Sequence, residues 1–185
     1  MVPPRLAQET FSLPTTGALR VAVVADTHGK PHPKLDERLT QLAPSRILHA
    51  GDIGDLEVLM RLAKHTAVRG NIDGRAPDLP DVVTITVSRE GHTLLRILLT
   101  HIAVNGPKLR SDVLKRAKSE DASLVVCGHS HVPFATHDRG VTVFNPGSVG
   151  PRRFHLPIVF GVIEIKKDGV AVRHVDCETG LGWKP

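Results

Sequence analysis

The sequence predicts an α/β sandwich, in which two packed β-sheets carry helices on their outer faces. Short apolar runs alternate with amphipathic segments in the first two thirds of the chain, and this β-α-β order is typical of a parallel sheet covered by helices. The last third is rich in strands that short turns join into hairpins. Because the chain has 185 residues, of which 41% are hydrophobic, it can bury a core, and we expect one domain.

The predicted parallel part runs from residue 20 to residue 69. Its strands are expected at residues 20–25, 46–50 and 66–69, and its helices at residues 33–42 and 56–64. Leu35, Leu39 and Leu42 recur at helical spacing in the first helix, and residues 56, 59, 60 and 63 do so in the second. These apolar faces are predicted to pack on the sheet.

The remaining elements follow from residue 82 onward. Strands are expected at residues 82–88, 94–100, 124–127, 134–137, 141–144, 158–165 and 170–175. One more helix is expected at residues 111–119, with Ser111 as its candidate N-cap. The turns between neighbouring strands predict hairpins, and these favour a second sheet packed on the first.

We expect one domain over residues 1–185, with residues 1–18 as a peripheral leader segment. This leader contains one Arg and three Pro and lacks a sustained apolar stretch, so it does not resemble a secretory signal. No apolar run in the chain is long enough to cross a bilayer. Cys127 and Cys177 are far apart and belong to no metal-binding pair, which favours free thiols in a reducing compartment. These observations predict a cytoplasmic protein with no membrane partner.

Charge and aromatic content limit the partners of the protein. The chain has one Trp, five Phe and no Tyr, so it lacks the aromatic platforms on which bases stack, and we expect no stable binding of nucleic acid. The net charge of +5 comes from dispersed basic residues, which is a mild indication of a phosphate-bearing substrate. The sequence leaves the oligomeric state open, and a homo-oligomer is compatible with it.

Side chains that can bind metals follow five of the predicted strands. They are Asp26, His28, Asp52, Asn71, His101, His129 and His131. Ligands in open α/β sheets bind beyond the carboxyl ends of the strands, so we expect these side chains to converge along one rim. The segment Gly128-His129-Ser130-His131 is the most informative, because two imidazoles spaced i, i+2 at the end of a strand are expected to point the same way.

The donor set indicates the kind of metal site. Two carboxylates, one amide oxygen and four imidazoles suit Mn, Fe, Zn, Ni or Co better than a thiolate-bound structural zinc or a calcium cage. Because seven donors exceed a tetrahedral set, they suit two ions about 4 Å apart that share a bridging carboxylate. Asp26 and Asp52 taken singly could instead be helix N-caps, but capping does not explain the other strand ends.

The order Asp-x-His, Gly-Asp, Gly-Asn, His, Gly-His-x-His resembles the calcineurin-like metallophosphoesterase superfamily. The chain is similar to its small bacterial and archaeal phosphodiesterases, which share the segment from Asn145 to Val149, and the resemblance covers residues 20–175. It implies a four-layer α-β-β-α sandwich of two mixed β-sheets. It also implies two divalent metal ions, with Mn favoured and Ni, Zn, Fe, Co or Mg as alternatives. One ion would be bound by Asp26, His28 and His131 and the other by Asn71, His101 and His129, with Asp52 bridging both.

Two positions depart from the wider superfamily and concern the general acid. Many relatives have a His after the Gly-Asn, where this chain has Ile72 and then Asp73, and the chain has His101-Ile102-Ala103 where a His-Gly-His is common. Loss of a general acid costs about 10²- to 10⁴-fold on poor leaving groups, so we expect a preference for activated esters or phosphodiesters. Asp73 is a weak candidate for this role, as are Arg152, Arg153 and His155, and all four are more simply interpreted as solvated loop residues.

The resemblance therefore predicts a binuclear, metal-dependent phosphoesterase, with a phosphodiesterase favoured. Its substrate would be a small-molecule phosphate ester, attacked by a hydroxide between the two metals, which Asp52, Asn71 and His101 help to hold. The alternative is a protein-binding scaffold similar to the retromer subunit of the superfamily, in which the metal set is impaired. Because every ligand position is intact here, the sequence favours the enzyme.

Overall fold

The computed structural model describes residues 3–74, 76 and 78–184, and in them two six-stranded β-sheets carry short helices on their outer faces. The strands are β1 (Leu6–Ser12), β2 (Leu19–Val24), β3 (Arg46–His49), β4 (His65–Ala67), β5 (Val82–Arg89), β6 (His92–Thr100), β7 (Val104–Asn105), β8 (Lys108–Leu109), β9 (Leu124–Val126), β10 (Phe134–Asp138), β11 (Val141–Asn145), β12 (Val159–Lys166), β13 (Gly169–Asp176) and β14 (Gly182–Trp183). The helices are α1 (Leu35–Leu42), α2 (Glu57–Arg61) and α3 (Ser111–Ser119).

Both sheets are mixed. The first has the order β1-β5-β6-β9-β11-β10, with parallel pairs β1/β5, β6/β9 and β9/β11 and antiparallel pairs β5/β6 and β11/β10. The second has the order β14-β13-β12-β2-β3-β4, in which β2, β3 and β4 are parallel and the other neighbours antiparallel. A separate two-stranded ribbon consists of β7 and β8.

Three apolar clusters define the layers. The central one joins residues of both sheets, such as Val21 and Val23 of β2 and Ile97 and Leu99 of β6, so the sheets pack face to face. A second cluster lies between the outer face of the second sheet and helices α1 and α2, and a third between the first sheet and α3. The four-layer α-β-β-α sandwich predicted from the sequence is confirmed.

The central strands have apolar side chains on both faces. In β2, Val21 and Val23 belong to the cluster between the sheets, whereas Ala22 and Val24 belong to the cluster under the helices. Such a strand is a continuous apolar run without alternation, because neither face meets water. This is why the buried strands of the sequence could be recognised.

The leader segment is the main correction to the predicted fold. Residues 6–12 form β1, which pairs in parallel with β5 at the edge of the first sheet. Phe11 is 2% exposed and Leu13 5% exposed, and both belong to the cluster between the sheets. The strand was missed because Phe11 is its one strongly apolar residue on the buried face, which leaves only a weak alternation in the sequence.

Two helices also differ in detail from the prediction. Helix α2 ends at Arg61, before the expected residue 64, because Leu62 is extended and Lys64 has a left-handed backbone. Met60, expected on the buried face, is 85% exposed. Ser111 is the first residue of α3, whereas Arg110 occupies the N-cap position and no side chain caps the helix.

Candidate metal centre

The predicted ligands lie at the facing rims of two sheets. Asp26 and His28 follow β2, Asp52 follows β3 and Asn71 follows β4, all in the second sheet. His101 follows β6, and His129 and His131 follow β9, in the first sheet. The sequence predicted convergence along one rim. The seven side chains do converge, but the site forms between two sheets, because strands of both end at the same side of the sandwich.

Most of these residues have an unusual backbone. Left-handed φ angles occur at Asp26 (55°), His28 (48°), Asp52 (54°), His129 (70°) and His131 (58°). Residues other than glycine adopt this region in only a few per cent of cases, and each such residue costs about 1–3 kcal/mol. The strain turns the chain sharply at each strand end, so strand alternation does not describe how His129 and His131 point.

The glycines of the Gly-Asp and Gly-Asn motifs permit the close approach of these loops. A Cβ on Gly70 would lie 2.1 Å from the backbone nitrogen of Asp52. Gly51 has a φ of +90°, and a Cβ there would lie 2.7 Å from Nδ1 of His101. A side chain at either position would separate the ligand-bearing loops.

The first donor group consists of Asp26, His28 and His131, whose candidate ligand atoms all lie within 4.8 Å of one another. Nε2 of His28 is 3.2 Å from Nε2 of His131, which in turn is 3.5 Å from Oδ1 of Asp26. The Asp26 carboxylate also accepts the backbone N–H of His129, at 3.0 and 3.2 Å to its two oxygens. Asp26 is completely buried, so its carboxylate is removed from water.

The second donor group consists of Asp52, His101 and His129, and Asn71 joins it. Oδ1 of Asn71 lies 3.0 Å from Nε2 of His101 and 2.9 Å from Nδ1 of His129. Nδ1 of His101 is 2.7 Å from the carbonyl of Ala50, to which it donates its proton, so Nε2 faces Asn71 and Asp52. Fixing a ring through its other nitrogen is typical of metal-binding histidines.

Asp52 lies between the two groups. Its Oδ1 is 3.2 Å from Nε2 of His101 in the second group, and its Oδ2 is 3.9 Å from Nε2 of His28 in the first. The backbone N–H of Ile72 donates to Oδ1 at 3.2 Å and fixes the orientation of the carboxylate. One carboxylate therefore faces both donor groups.

The protonation states fit a cation. Burial raises the pKa of Asp26 to about 7. For Asp52, burial is outweighed by the combined effect of the hydrogen bonds from His101 and the Ile72 N–H and of the neighbouring imidazoles, which lowers its pKa to about 2. Burial, together with Arg153 and His28, lowers the pKa of His131 to about 4, and burial also lowers the pKa of His28. The imidazoles of His28 and His131 are therefore neutral, and their Nε2 atoms face each other.

Among the described residues, Nδ1 of His131 is also buried without a hydrogen-bond partner. Converging imidazole nitrogens, an orphaned buried nitrogen and buried carboxylate oxygens are costly to keep together without positive charge. Nitrogen and oxygen donors without a thiolate suit a divalent transition metal. The residues present therefore fit divalent metal binding.

His49 was not predicted from the sequence to have a role, yet it supports the loops of the candidate centre. His49 is fully buried, and burial lowers its pKa to about 3, so the ring is neutral. Its Nδ1 accepts the backbone N–H of Gly51 at 3.2 Å, and its Nε2–H donates to the Thr27 hydroxyl at 3.0 Å. The ring thereby links the loops that carry Asp26 and Asp52. Its place directly before Ala-Gly-Asp was the only signal in the sequence.

Asp73 holds the loops after β3 and β4 together. It is 4% exposed, and its carboxylate accepts backbone N–H groups from Ile53 at 3.1 Å, Gly54 at 2.9 Å and Gly70 at 2.8 Å. A carboxylate so engaged does not face a substrate. The geometry therefore disfavours Asp73 as a general acid and makes it a positioning residue.

The segment from Asn145 to Val149 supports the loop that carries Asp26 and the loop that carries His129. Nδ2 of Asn145 donates to the carbonyl of Gly128 at 2.7 Å, and its Oδ1 accepts the N–H of Gly147 at 2.9 Å. The hydroxyl of Ser148 donates to the carbonyl of Asp26 at 3.1 Å. The turn interpreted from the sequence as structural thus fixes the backbones on which Asp26 and His129 are mounted.

A model of the "Calcineurin-like phosphoesterase superfamily domain" matches residues 19–168. The chain belongs to the calcineurin-like phosphoesterase superfamily. This metallophosphoesterase is 28% identical over 166 residues to "Probable metallophosphoesterase YsnB" of Bacillus subtilis, covering 85% of this chain and 91% of that protein. The resemblance predicted from the strand-end motifs is confirmed.

Solved structures share the metallophosphoesterase fold. A predicted phosphoesterase from Streptococcus pneumoniae superposes with a TM-score of 0.68 at 22% identity, covering 91% of this chain and 98% of that one. Vacuolar Protein Sorting 29 from Cryptosporidium parvum superposes with a TM-score of 0.69 at 17% identity, covering 91% and 96%. At these identities the likeness shows the fold alone. No helix in the described part of the chain is long and apolar enough to span a membrane.

Proposed function

We propose that this metallophosphoesterase is a binuclear metal-dependent phosphodiesterase. The observation that carries the proposal is the Asp52 carboxylate, whose oxygens face His28 of one donor group and His101 of the other. In two-metal phosphoesterases a shared carboxylate holds the ions about 4 Å apart. Two divalent ions, with Mn favoured over Ni, Zn, Fe, Co or Mg, would activate a water and neutralise phosphoryl oxygens.

The protein's own residues would hold and orient these ions. Asp26, His28 and His131 form one set, Asn71, His101 and His129 the other, and Asp52 serves both. The raised pKa of Asp26, which burial causes, means that below about pH 7 this carboxyl must lose a proton when a cation binds. His101 keeps its Nε2 aimed at the site through the bond from its Nδ1–H to Ala50.

Two cavities beside the centre support a diester substrate. One, of about 550 Å³, is bordered by Asn71 and His101, and the other, of about 480 Å³, by Gly128 and His129. Ile102 lines both cavities. A phosphorus atom held at the donor groups therefore has room for one substituent on each side. A monoester would use only one of these cavities.

The absence of a visible general acid also favours activated esters. Ile72, which is 46% exposed, stands where many relatives have a His, and its side chain cannot donate a proton. A leaving group of low pKa needs no such help. We therefore expect faster hydrolysis of a nitrophenyl diester than of an alkyl one.

The proposal also covers the substrate class, the partners and the cellular location of the enzyme. We infer a small-molecule phosphate ester as substrate, with no stable nucleic-acid partner, in the cytoplasm. Few aromatic side chains, dispersed basic charge and two free buried thiols support this setting.

The second candidate is a protein-binding scaffold, which the likeness to Vacuolar Protein Sorting 29 favours at the level of the fold. A scaffold of this kind needs no intact donor set. Here all seven donors lie together, which supports the enzyme over the scaffold.

Hydrolysis assays on metal-stripped protein test the proposal. We expect Mn²⁺ to restore cleavage of bis(4-nitrophenyl) phosphate, and to restore cleavage of the matching monoester more weakly. Asp52→Asn should reduce the rate at least about 100-fold, because it removes one of the two carboxylate oxygens and the negative charge that would bridge the ions. His129→Ala should act in the same direction, and Asp168→Asn, on the exposed β12–β13 turn, should match the wild type. If no metal restores activity, or if Asp52→Asn retains it, the enzyme proposal fails and the scaffold gains support.

A further inference from the structure

The loop at residues 151–157 extends beside the first donor group and is mostly exposed. Arg152 anchors it away from the centre, because its guanidinium pairs with Glu178 and donates to the carbonyl of Leu156 at 3.0 Å. The next residue, Arg153, points the opposite way. Its Nη2 lies 3.2 Å from Nε2 of His28.

Arg153 has no counter-ion of its own in the described part of the chain, where no carboxylate lies within 4.0 Å of its guanidinium. Among the described residues its guanidinium hydrogen-bonds only to His28, through Nη2. A guanidinium with one ring nitrogen as its acceptor gains little, and holding a long side chain in place costs conformational entropy. No anion among the described residues pairs directly with the guanidinium.

The missing anion matches a phosphoryl group. A planar guanidinium presents paired N–H donors that fit two phosphate oxygens, which a point charge cannot do. The exposed position at the mouth of the centre leaves Arg153 accessible to an incoming ester. Arginine stays protonated at every working pH, so it can stabilise charge but cannot replace the general acid that is missing at Ile72.

We propose that Arg153 is a substrate-binding residue, whose guanidinium clamps the non-bridging oxygens of a phosphate ester held at the metal centre. The inference rests on the proposed function and deepens it, because it assigns recognition of the phosphoryl group to a residue outside the metal-ligand set. Charge that builds up on those oxygens during attack strengthens the contact, so Arg153 contributes to kcat as well as to binding.

Binding of orthophosphate, measured by calorimetry on the Mn²⁺-loaded protein, tests the inference without relying on turnover. We expect Arg153→Ala to weaken phosphate binding and to lower kcat/KM by about 10- to 100-fold, the usual effect of removing a charge-assisted hydrogen bond. Arg153→Lys should recover only part of the loss, because lysine lacks the paired donors. Arg61→Ala on α2 removes an exposed Arg paired with Asp36 and serves as the matched control.

The affinity for Mn²⁺ distinguishes an Arg153 that binds phosphate from an Arg153 that only stabilises the metal centre. Removing a cation next to the donors should leave Mn²⁺ affinity unchanged or raise it, whereas loss of a structural prop would weaken Mn²⁺ and phosphate together. Phosphate binding within twofold of the wild type in Arg153→Ala, or a parallel loss of Mn²⁺, would overturn the inference. The two proposals can fail separately. If Arg153→Ala cleaves the diester as fast as the wild type, the proposed enzyme activity stands and the role of Arg153 is refuted. If the wild type shows no turnover but Arg153→Ala loses phosphate binding, the role of Arg153 stands and the enzyme activity is refuted.

Discussion

At the residue scale, the centre is made of groups that are unfavourable without a bound cation. Asp26 is a fully buried carboxylate, and the imidazoles of His28 and His131 direct nitrogens at each other across 3.2 Å. Five of the seven donors also have left-handed backbones. Strain and desolvation of this kind are typical of functional sites, where the surrounding structure enforces them.

The residues of the candidate centre could be predicted from the sequence, but the residues that hold their loops in place could not. A polar residue directly after an apolar strand is visible as a local pattern, and this pattern indicated each of the seven side chains, from Asp26 to His131, that the fold brings together. His49 and Asp73 act through bonds to backbone groups of distant loops, which depend on tertiary contacts. No local pattern distinguishes them from an ordinary strand residue and an ordinary turn residue.

The affinity for Mn²⁺ is expected to fall as the pH drops through about 7. Burial raises the pKa of Asp26 to about 7, so below that pH the carboxyl holds a proton that a metal must displace. Asp52, with a pKa of about 2, is already ionised throughout this range. One displaced proton weakens binding about tenfold per pH unit. Titration calorimetry between about pH 8 and pH 6 measures the slope.

The variant Asp26→Asn tests whether Asp26 carries the proton that the metal displaces. It should bind Mn²⁺ more weakly than the wild type at pH 8, yet lose less affinity on acidification. The raised pKa of His101, which its bonds to Asp52 and Ala50 maintain against burial, leaves some pH dependence in the variant. An affinity that does not change with pH in the wild type would contradict the assignment of Asp26 as a ligand.

At the scale of elements, the ligand-bearing loops are held by one another more than by regular structure. Asp73, in the loop after β4, accepts N–H groups of Ile53 and Gly54 in the loop after β3. The segment that follows β11 supports the loops after β2 and β9 through Ser148 and Asn145. Movement of one loop would therefore displace donors on its neighbours.

Replacing Asp73 tests this coupling. Asp73→Ala leaves three backbone N–H groups without their acceptor, which we expect to lower the free energy of unfolding by about 1–3 kcal/mol. Misplacement of Asp52 and Asn71 should weaken Mn²⁺ binding about 10- to 100-fold, as loss of a supporting residue does in other metal sites. Urea unfolding and calorimetry measure the two effects. Asp78→Ala, an exposed residue of the same loop, should show neither, and wild-type behaviour of Asp73→Ala would refute the coupling.

The edge strand β1 shows where element prediction was limited. The central strands were predicted because both of their faces are apolar, whereas β1 presents one buried aromatic and exposed polar residues. Its hydrogen bonds to β5 arise from pairing over some 75 residues of chain, which a local window cannot detect. The two-residue strands β7, β8 and β14 were missed for the same reason.

Truncation of Phe11 measures how much β1 matters to stability. Phe11 is 2% exposed within the cluster between the sheets, so Phe11→Ala should lower the free energy of unfolding by about 3–5 kcal/mol. Leu6→Ala on the same strand, where Leu6 is 54% exposed, should change it by no more than about 0.5 kcal/mol. Urea denaturation of the three proteins compares them. Equal stability of Phe11→Ala and the wild type would return residues 1–18 to the role of a peripheral leader.

At the scale of the whole molecule, the centre depends on the packing of two sheets. The second sheet supplies Asp26, His28, Asp52 and Asn71, and the first supplies His101, His129 and His131. Neither sheet alone carries a complete candidate donor group. The sequence predicted two packed sheets and one rim of ligands, but the meeting of two rims required knowledge of which strands belong to which sheet. That assignment depends on long-range pairing, such as β6 with β9 and β2 with β12.

The most direct test of a binuclear centre is an anomalous difference map from crystals grown with Mn²⁺, recorded on either side of the manganese absorption edge. The account predicts two peaks about 4 Å apart, with Asp52 between them. Asp26, His28 and His131 should surround one peak, and Asn71, His101 and His129 the other. A single peak, or two peaks that do not share Asp52, would contradict the account.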